Sequence, residues 1–122
     1  MKILLADDNP EVRSALRLLL EQEPLSAMVI DVENVQSLQA YLNGDCPFVL
    51  LLDWELPGLH SSEVLRLVRS HCPRMKVIAL SSKYEARQEA LAARVDAFVS
   101  KAEPPEQILS TIWAFLPKQE KE

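Results

Sequence analysis

Short apolar runs alternate along this chain with longer stretches whose apolar residues recur every three or four positions. The apolar runs lie at 3–6, 27–32, 48–52, 77–80 and 97–99. Several are apolar almost throughout, as in strands that are covered on both faces of a sheet, whereas the stretches between them have the spacing of helices with one apolar face. Five strands alternating with five helices predict an α/β fold, with a parallel sheet and helices on both of its faces.

The predicted helices have recognisable ends. The first runs from Pro10 to Glu23, with Asn9 as its N-cap and Pro24 just beyond it. The others are predicted at 34–42, from 61 or 62 to about 70, at 85–93, and from 104 or 105 to 116. This pattern leaves the strand order open, and 2-1-3-4-5 is one of the two common doubly wound arrangements. The length fits one domain at 1–117, followed by a charged tail or the start of a linker at 118–122.

Composition argues against several functions. The formal net charge is −5, from 18 acidic and 13 basic residues, and no basic stripe is visible, so we expect no nucleic-acid contact by this domain itself. The longest apolar runs are too short to span a bilayer, and two carboxylates follow the first six residues, so we expect a cytoplasmic protein without membrane contact. Cys46 and Cys72 are not in metal-ligand spacing, and we expect both to be reduced thiols.

Polar residues stand at the ends of four of the predicted strands. Asp7 and Asp8 follow the first strand, Asp53 ends the third, Ser81 follows the fourth and Lys101 follows the fifth. The carboxyl ends of parallel strands meet at one edge of a sheet, and ligands of open α/β sheets bind there. We therefore expect these five side chains to converge.

The converging groups suit one kind of chemistry. Neighbouring carboxylates repel each other unless a cation compensates, and Mg²⁺ prefers a few carboxylates together with water and phosphate oxygens. A lysine and a serine hydroxyl can each contact a phosphate oxygen. Taken singly, an Asp pair can merely cap a helix, a serine can do the same, and a lysine is usually solvated. Together they predict a site that transfers a phosphoryl group to an aspartate carboxylate.

Four segments of the chain resemble the receiver domain of two-component response regulators. The matching segments are 3–10, 51–58, 77–82 and 90–101, in the same order and spacing from end to end. The stretch at 100–109 is similar to the subgroup whose receivers precede a helix-turn-helix DNA-binding domain. The resemblance implies a flavodoxin-like fold with the strand order 2-1-3-4-5. It also implies a phosphoacceptor module that assists its own phosphorylation and dephosphorylation, rather than an enzyme. It also implies a histidine kinase or phosphotransfer protein as the donor, a transcription-regulating output, and a homodimer that forms on phosphorylation.

The resemblance also assigns roles to individual residues. It implies that Asp53 is the phosphoacceptor and that Lys101 contacts the phosphoryl group. Magnesium would be bound by Asp7, Asp8, Asp53 and the backbone carbonyl of Glu55. Ser81 and Phe98 would be the switch positions. Phosphorylation would then bias the packing of the last two strand–helix units.

Two positions depart from the family pattern, and two more are variable within the family. Ala102 stands where the family usually has a proline with a cis peptide bond, so the placement of Lys101 is open. Arg94 replaces a common glycine. Glu55 and Lys83 occupy the two variable positions beside the site, and they either form an ion pair across the pocket or both point to solvent.

Three other functions compete with this interpretation. A dehalogenase-type phosphatase would need an aspartate where Glu55 stands, and a pseudo-receiver would be expected to lack one of Asp8, Asp53 or Lys101. A flavin-binding relative would need a phosphate-binding loop after the first strand. Trp54 is expected near the mouth of the site, and Trp113 either in the core or in an apolar dimer patch. His60 and His71 are expected at the surface or in loops.

Overall fold

The structure is a computed structural model that describes residues 1–59 and 62–117. Five strands alternate with five helices. The strands are β1 (Lys2–Ala6), β2 (Met28–Val32), β3 (Val49–Asp53), β4 (Lys76–Ser81) and β5 (Ala97–Ser100). The helices are α1 (Pro10–Glu21), α2 (Val35–Leu42), α3 (Ser62–His71), α4 (Ala86–Ala92) and α5 (Glu106–Phe115). His60, Ser61 and the tail predicted at 118–122 lie outside the described residues.

The strands form one parallel sheet in the order β2-β1-β3-β4-β5. The predicted fold class and strand order are therefore confirmed. The central strand β3 is buried along its whole length, as its unbroken apolar sequence predicts, whereas β2 at the edge is partly exposed. In the register of the sheet, Asp53 lies opposite Leu80 and Ser81 lies opposite Ser100, so the polar strand ends are level with one another.

Two apolar cores cover the two faces of the sheet. Since successive strand residues point to opposite faces, Leu50 and Leu52 of β3 face one core, while Leu51 between them faces the other. The first core is completed by α2, α3 and α4, and the second by α1 and α5. This two-sided packing confirms the helices predicted on both faces. Within the described residues, no helix is long and apolar enough to cross a membrane.

The expectation of two reduced thiols is wrong, because Cys46 and Cys72 form a disulfide bond. Cys46 is exposed in the loop before β3, and Cys72 is buried immediately after α3. Their Cα atoms are 5.6 Å apart, within the range that a disulfide requires. The two positions are 26 residues apart in sequence, and they meet because α3 brings the chain back to the amino edge of the sheet. The bond therefore lies at the edge opposite the polar strand ends.

Some local predictions differ from the structure by a few residues. Helix α1 ends at Glu21 rather than Glu23, and α4 and α5 each begin one or two residues later than predicted. Arg94, at the position of the replaced glycine, has a positive φ of 69°. The cis peptide bond of the described residues is Glu23–Pro24, so the Lys101–Ala102 bond is trans.

Candidate functional site

Three carboxylates meet at the carboxyl edge of the sheet. Asp7 and Asp53 are buried, with 0% and 2% of their surfaces exposed, whereas Asp8 is exposed. One oxygen from each of the three side chains lies within 4.8 Å of the others. The backbone fixes Asp7 there, because its N–H donates to the Val32 carbonyl at 3.1 Å and extends the pairing of β1 with β2. The structure thus brings together the acidic residues that the sequence placed at two different strand ends.

Lys101 joins this group from the end of β5. Its Nζ lies 2.8 Å from Oδ2 of Asp7 and 3.3 Å from Oδ1 of Asp53. The backbone N–H of Lys101 donates to the Ser81 carbonyl at 2.8 Å, which anchors the residue beside β4 although its peptide bond to Ala102 is trans. Burial alone would lower the pKa of the Lys101 ammonium, but the carboxylates of Asp7 and Asp53 outweigh it and hold the pKa above its ordinary value.

Asp53 is held in an environment that disfavours its charge. Burial raises the pKa of the Asp53 carboxyl above its ordinary value, and the neighbouring Asp7 adds to the effect. The Glu55 N–H, which donates to Oδ1 at 3.0 Å, and the Lys101 ammonium oppose this rise in pKa without cancelling it. A single lysine therefore leaves the negative charge of three carboxylates incompletely balanced.

The oxygen-rich geometry fits a hard divalent cation. Three carboxylates within reach of one another, with one of them open to solvent, match the donors that Mg²⁺ takes alongside water and phosphate. The residues that could hold such an ion are Asp7, Asp8 and Asp53, and the Glu55 carbonyl as a further ligand stays a prediction.

The ion pair considered between Glu55 and Lys83 is not formed. Both side chains line one open cleft between α3 and α4, but the Glu55 carboxylate accepts the Ser81 hydroxyl instead, at 2.9 and 2.8 Å from its two oxygens. Among the described residues, no salt bridge within 4.0 Å joins Glu55 to Lys83. The hydroxyl of fully buried Ser81 is nearer to Glu55 than the Lys83 ammonium is, and Glu55 satisfies it.

The aromatic residues singled out from the sequence lie around the site and in the core. Trp54 is half-buried beside the site, and its indole N–H donates to Oε1 of Glu89 on α4 at 2.9 Å. Phe98 is half-buried against the core that α2, α3 and α4 complete. Trp113 packs against the core on the other face, and His71 is exposed at the end of α3.

Sequence reasoning missed the residues that hold the loop after β1. Arg13 of α1 donates from Nη1 to the Asp7 carbonyl at 2.8 Å, and its Nε contacts Asp31 of β2 at 3.0 Å. Arg17, one helical turn further on, also pairs with Asp31. The available signal was Asp31 itself, because a carboxylate within an apolar strand run needs a cationic partner, and arginines four residues apart share one helix face.

Comparison with known proteins agrees with this architecture. The family model of the response regulator receiver domain matches residues 3–113. The chain therefore belongs to the response regulator receiver domains of two-component systems.

The proteins that the chain resembles differ in kind and in length. The chain is 28% identical over 114 residues to the transcriptional activator protein ExaE of Pseudomonas putida, covering 92% of this chain and 53% of that protein. It is 26% identical over 95 residues to a protein-glutamate methylesterase/protein-glutamine glutaminase of Cereibacter sphaeroides, covering 78% of this chain and 26% of that protein. The crystal structure of a CheY-like receiver domain protein from Methanospirillum hungatei superposes with a TM-score of 0.83 at 26% identity, covering 98% and 96% of the two chains. The chain thus spans about half the length of ExaE and about a quarter of the methylesterase.

Proposed function

We propose that this domain is a phosphoacceptor whose Asp53 takes a phosphoryl group in a magnesium-dependent reaction. The observation that carries the proposal is the convergence of Asp7, Asp8, Asp53 and Lys101 at the carboxyl edge of the sheet, three carboxylates and one ammonium within contact range. Such a group is costly to assemble without a ligand, because the carboxylates repel one another. A divalent cation offsets the negative charge that Lys101 leaves unbalanced, and together with Lys101 it can contact the oxygens of a phosphoryl group.

Each side chain of the site has a role in the proposed phosphoryl transfer. Oδ1 of Asp53 is held by the Glu55 N–H and by Lys101, so Oδ2 is the oxygen that attacks phosphorus. An O–P bond forms as the bond between phosphorus and the donor's leaving group breaks, and the leaving group departs with the electron pair. Lys101 and the Ser81 hydroxyl then contact phosphoryl oxygens. Bound Mg²⁺ supplies positive charge that offsets the carboxylates and the phosphoryl oxygens, which is the main requirement of phosphoryl transfer.

The partners and output follow from the family and its relatives. We propose a histidine kinase or phosphotransfer protein as the donor, and no catalytic turnover of other substrates by this domain. ExaE is a transcriptional activator, and the stretch at 100–109 resembles receivers that precede DNA-binding domains, so we propose a transcription-regulating output. Phosphorylation would change the surface formed by β4, α4, β5 and α5 through Ser81 and Phe98, and would favour a homodimer. The cytoplasmic location expected from the sequence stays a prediction.

The test is phosphorylation by a small donor. We expect acetyl phosphate with Mg²⁺ to add one phosphoryl group, seen by intact mass, and to change the fluorescence of the adjacent Trp54. Asp53→Asn should abolish both changes. Glu33→Gln removes one negative charge from an exposed residue just beyond β2 and serves as the matched control, with labelling equal to that of the wild type.

The magnesium requirement is tested separately from the phosphoacceptor role of Asp53. Labelling should stop in EDTA and should fall strongly in Asp8→Asn, which removes the exposed carboxylate of the cluster. Labelling that persists in Asp53→Asn would place the acceptor elsewhere. Failure of the wild type to take label from acetyl phosphate and from a panel of phosphorylated histidine kinases would favour the pseudo-receiver alternative.

A further inference from the structure

The hydroxyl of Ser81 is engaged on both of its hydrogen-bonding sides. It donates to the Glu55 carboxylate, with its Oγ 2.9 and 2.8 Å from the two oxygens, and Oγ accepts the Lys83 N–H at 3.0 Å. A hydroxyl has a single proton to donate. While Glu55 holds that proton, Ser81 cannot donate it to another acceptor near Asp53.

The residue before Glu55 makes a second contact across the same cleft. The indole N–H of Trp54 donates to Oε1 of Glu89 at 2.9 Å, and the Trp54 backbone N–H donates to the Leu80 carbonyl at 2.7 Å. Trp54 and Glu55 directly follow Asp53. Two consecutive side chains therefore reach from the end of β3, one to the end of β4 and the other to α4.

Helix α4 depends on these contacts more than a larger helix would. It has seven residues, and the residue at its N-cap makes no side-chain capping hydrogen bond. Its buried residues are Ala86 and Ala90, whose small side chains bury little apolar surface. Segments with little buried apolar area open readily, so a few polar contacts can decide the position of such a helix.

We propose that Glu55 and Trp54 clamp the β4–α4 segment in the conformation of the unmodified protein, with Glu55 as a positioning residue that withholds the Ser81 hydroxyl from the phosphoryl group. The withholding of the Ser81 hydroxyl from a phosphoryl group rests on the proposed function. A phosphoryl group on Asp53 competes with Glu55 for the hydroxyl, and its negative charge repels the Glu55 carboxylate, so modification opens the clamp. The strength of the Glu55 contact then sets how far a given level of phosphorylation shifts the domain to its switched state.

Hydrogen exchange tests the clamp without any phosphoryl group. The amides of residues 86–92 should exchange about threefold faster or more in Glu55→Ala and in Glu89→Ala than in the wild type. Faster exchange in Glu89→Ala would be the opposite of what helix propensity predicts, because alanine is the best helix former. Gln88→Ala changes an exposed neighbour on the same helix and should not accelerate exchange. Unchanged exchange in both glutamate variants would overturn the clamp.

Binding of fluoroberyllate, a phosphoryl mimic, tests the role of Glu55 at the site. At saturating Mg²⁺, Glu55→Ala should bind BeF₃⁻ about threefold to tenfold more tightly than the wild type, while its affinity for Mg²⁺ alone stays equal or falls. A variant that had only lost structure would bind both BeF₃⁻ and Mg²⁺ more weakly. Glu85→Gln removes one negative charge from the same cleft and should leave the BeF₃⁻ affinity near that of the wild type.

The outcomes separate this inference from the proposed function. Equal BeF₃⁻ affinity in Glu55→Ala and the wild type, or an equal gain in Glu85→Gln, would overturn the positioning role. A wild-type protein that binds no BeF₃⁻ in the presence of Mg²⁺ would contradict the phosphoryl site itself. The exchange measurement on α4 would still decide whether the clamp exists.

Discussion

Asp53 is buried among apolar strand residues, with one lysine and another buried carboxylate as its neighbours. Burial raises the pKa of its carboxyl above the ordinary value of 3.8. A folded-state pKa above that of the unfolded chain means that the unfolded chain loses its proton first as the pH rises. The ionised side chain therefore costs the folded state stability at neutral pH, and the cost fades as the pH falls towards 3.8.

We expect Asp53→Asn to be more stable than the wild type at neutral pH in the presence of EDTA, by a few degrees in Tm. The amide has nearly the same shape and carries no charge to desolvate. The gain should shrink as the pH falls towards 3.8, and it should also shrink when Mg²⁺ is added, because the ion stabilises the wild type selectively. Thermal unfolding at several pH values measures both trends. A less stable variant at neutral pH would show that the Lys101 contact outweighs burial.

Arg94 follows α4 in a left-handed conformation that side chains disfavour. Its φ is 69°, and its carbonyl accepts a hydrogen bond from Arg69 at 2.9 Å, a contact of the backbone rather than the side chain. We expect Arg94→Gly to increase the free energy of unfolding by about 0.5–1 kcal/mol, since relief of strain exceeds the added entropy of the unfolded chain. Urea unfolding would measure it.

Gly58 offers the opposite change as a control. Its φ is 91°, and a Cβ added there would lie 3.2 Å from Cβ of Val35. Gly58→Ala should therefore lower the free energy of unfolding by about 1 kcal/mol or more. A loss of stability in Arg94→Gly would mean that the exposed Arg94 side chain stabilises the loop more than its backbone conformation strains it.

At the scale of elements, α1 is attached to the edge strand β2 by two arginines. Arg13 and Arg17 both contact Asp31, whose side chain is 29% exposed. Burial would raise the pKa of the Asp31 carboxyl, but Arg17 and then Arg13 outweigh it and hold the pKa below 3.8. A lowered folded-state pKa gives stability that is present above the pKa of the unfolded chain and is lost as the pH falls through the lower folded-state value.

We expect Asp31→Asn to lower the free energy of unfolding by about 1 kcal/mol at neutral pH, the upper range for a partly exposed ion pair. The difference should narrow as the pH falls below 3.8. Because Arg13 also donates to the Asp7 carbonyl, the variant should bind Mg²⁺ more weakly. Chemical unfolding and metal titration test the two effects, with exposed Glu33→Gln as the control. Equal stability at neutral pH would contradict a structural role for this cluster.

At the scale of the whole molecule, the disulfide ties the loop before β3 to the end of α3. It closes a loop between positions 26 residues apart, at the edge of the sheet away from the carboxylates. Closing a loop of that length restricts the unfolded chain and is worth about 3–4 kcal/mol in the chain-entropy model. The site should keep its geometry without the bond, since none of its hydrogen bonds involves either cysteine.

We expect reduction to lower the Tm of the wild type without abolishing Mg²⁺ binding. Unfolding with and without a reductant measures the first effect, and metal titration measures the second. Cys46→Ser should have the stability of the reduced protein and should not respond to the reductant. A wild type whose Tm is indifferent to the reductant would contradict a stabilising role for the disulfide.

Much of the fold could be predicted from the chain alone. The short apolar runs and the helical spacing between them established five strands and five helices, because each element's own residues decide its period and its apolar face. The convergence of Asp7, Asp8, Asp53 and Lys101 followed from the same pattern, since parallel strands bring their carboxyl ends to one edge. The family model confirms the class of protein that these residues indicated.

The tertiary structure decided the contacts that depend on which side chains meet in space. The partner of Glu55 is Ser81 rather than Lys83, Trp54 pairs with Glu89, and Arg13 holds the carbonyl of Asp7. The cysteines pair although nothing in their spacing suggests it. Periodicity and strand order are local or topological properties that a sequence encodes redundantly. A hydrogen bond or a disulfide depends on distances of a few ångströms between residues far apart in the chain, and only the packed backbone determines those distances.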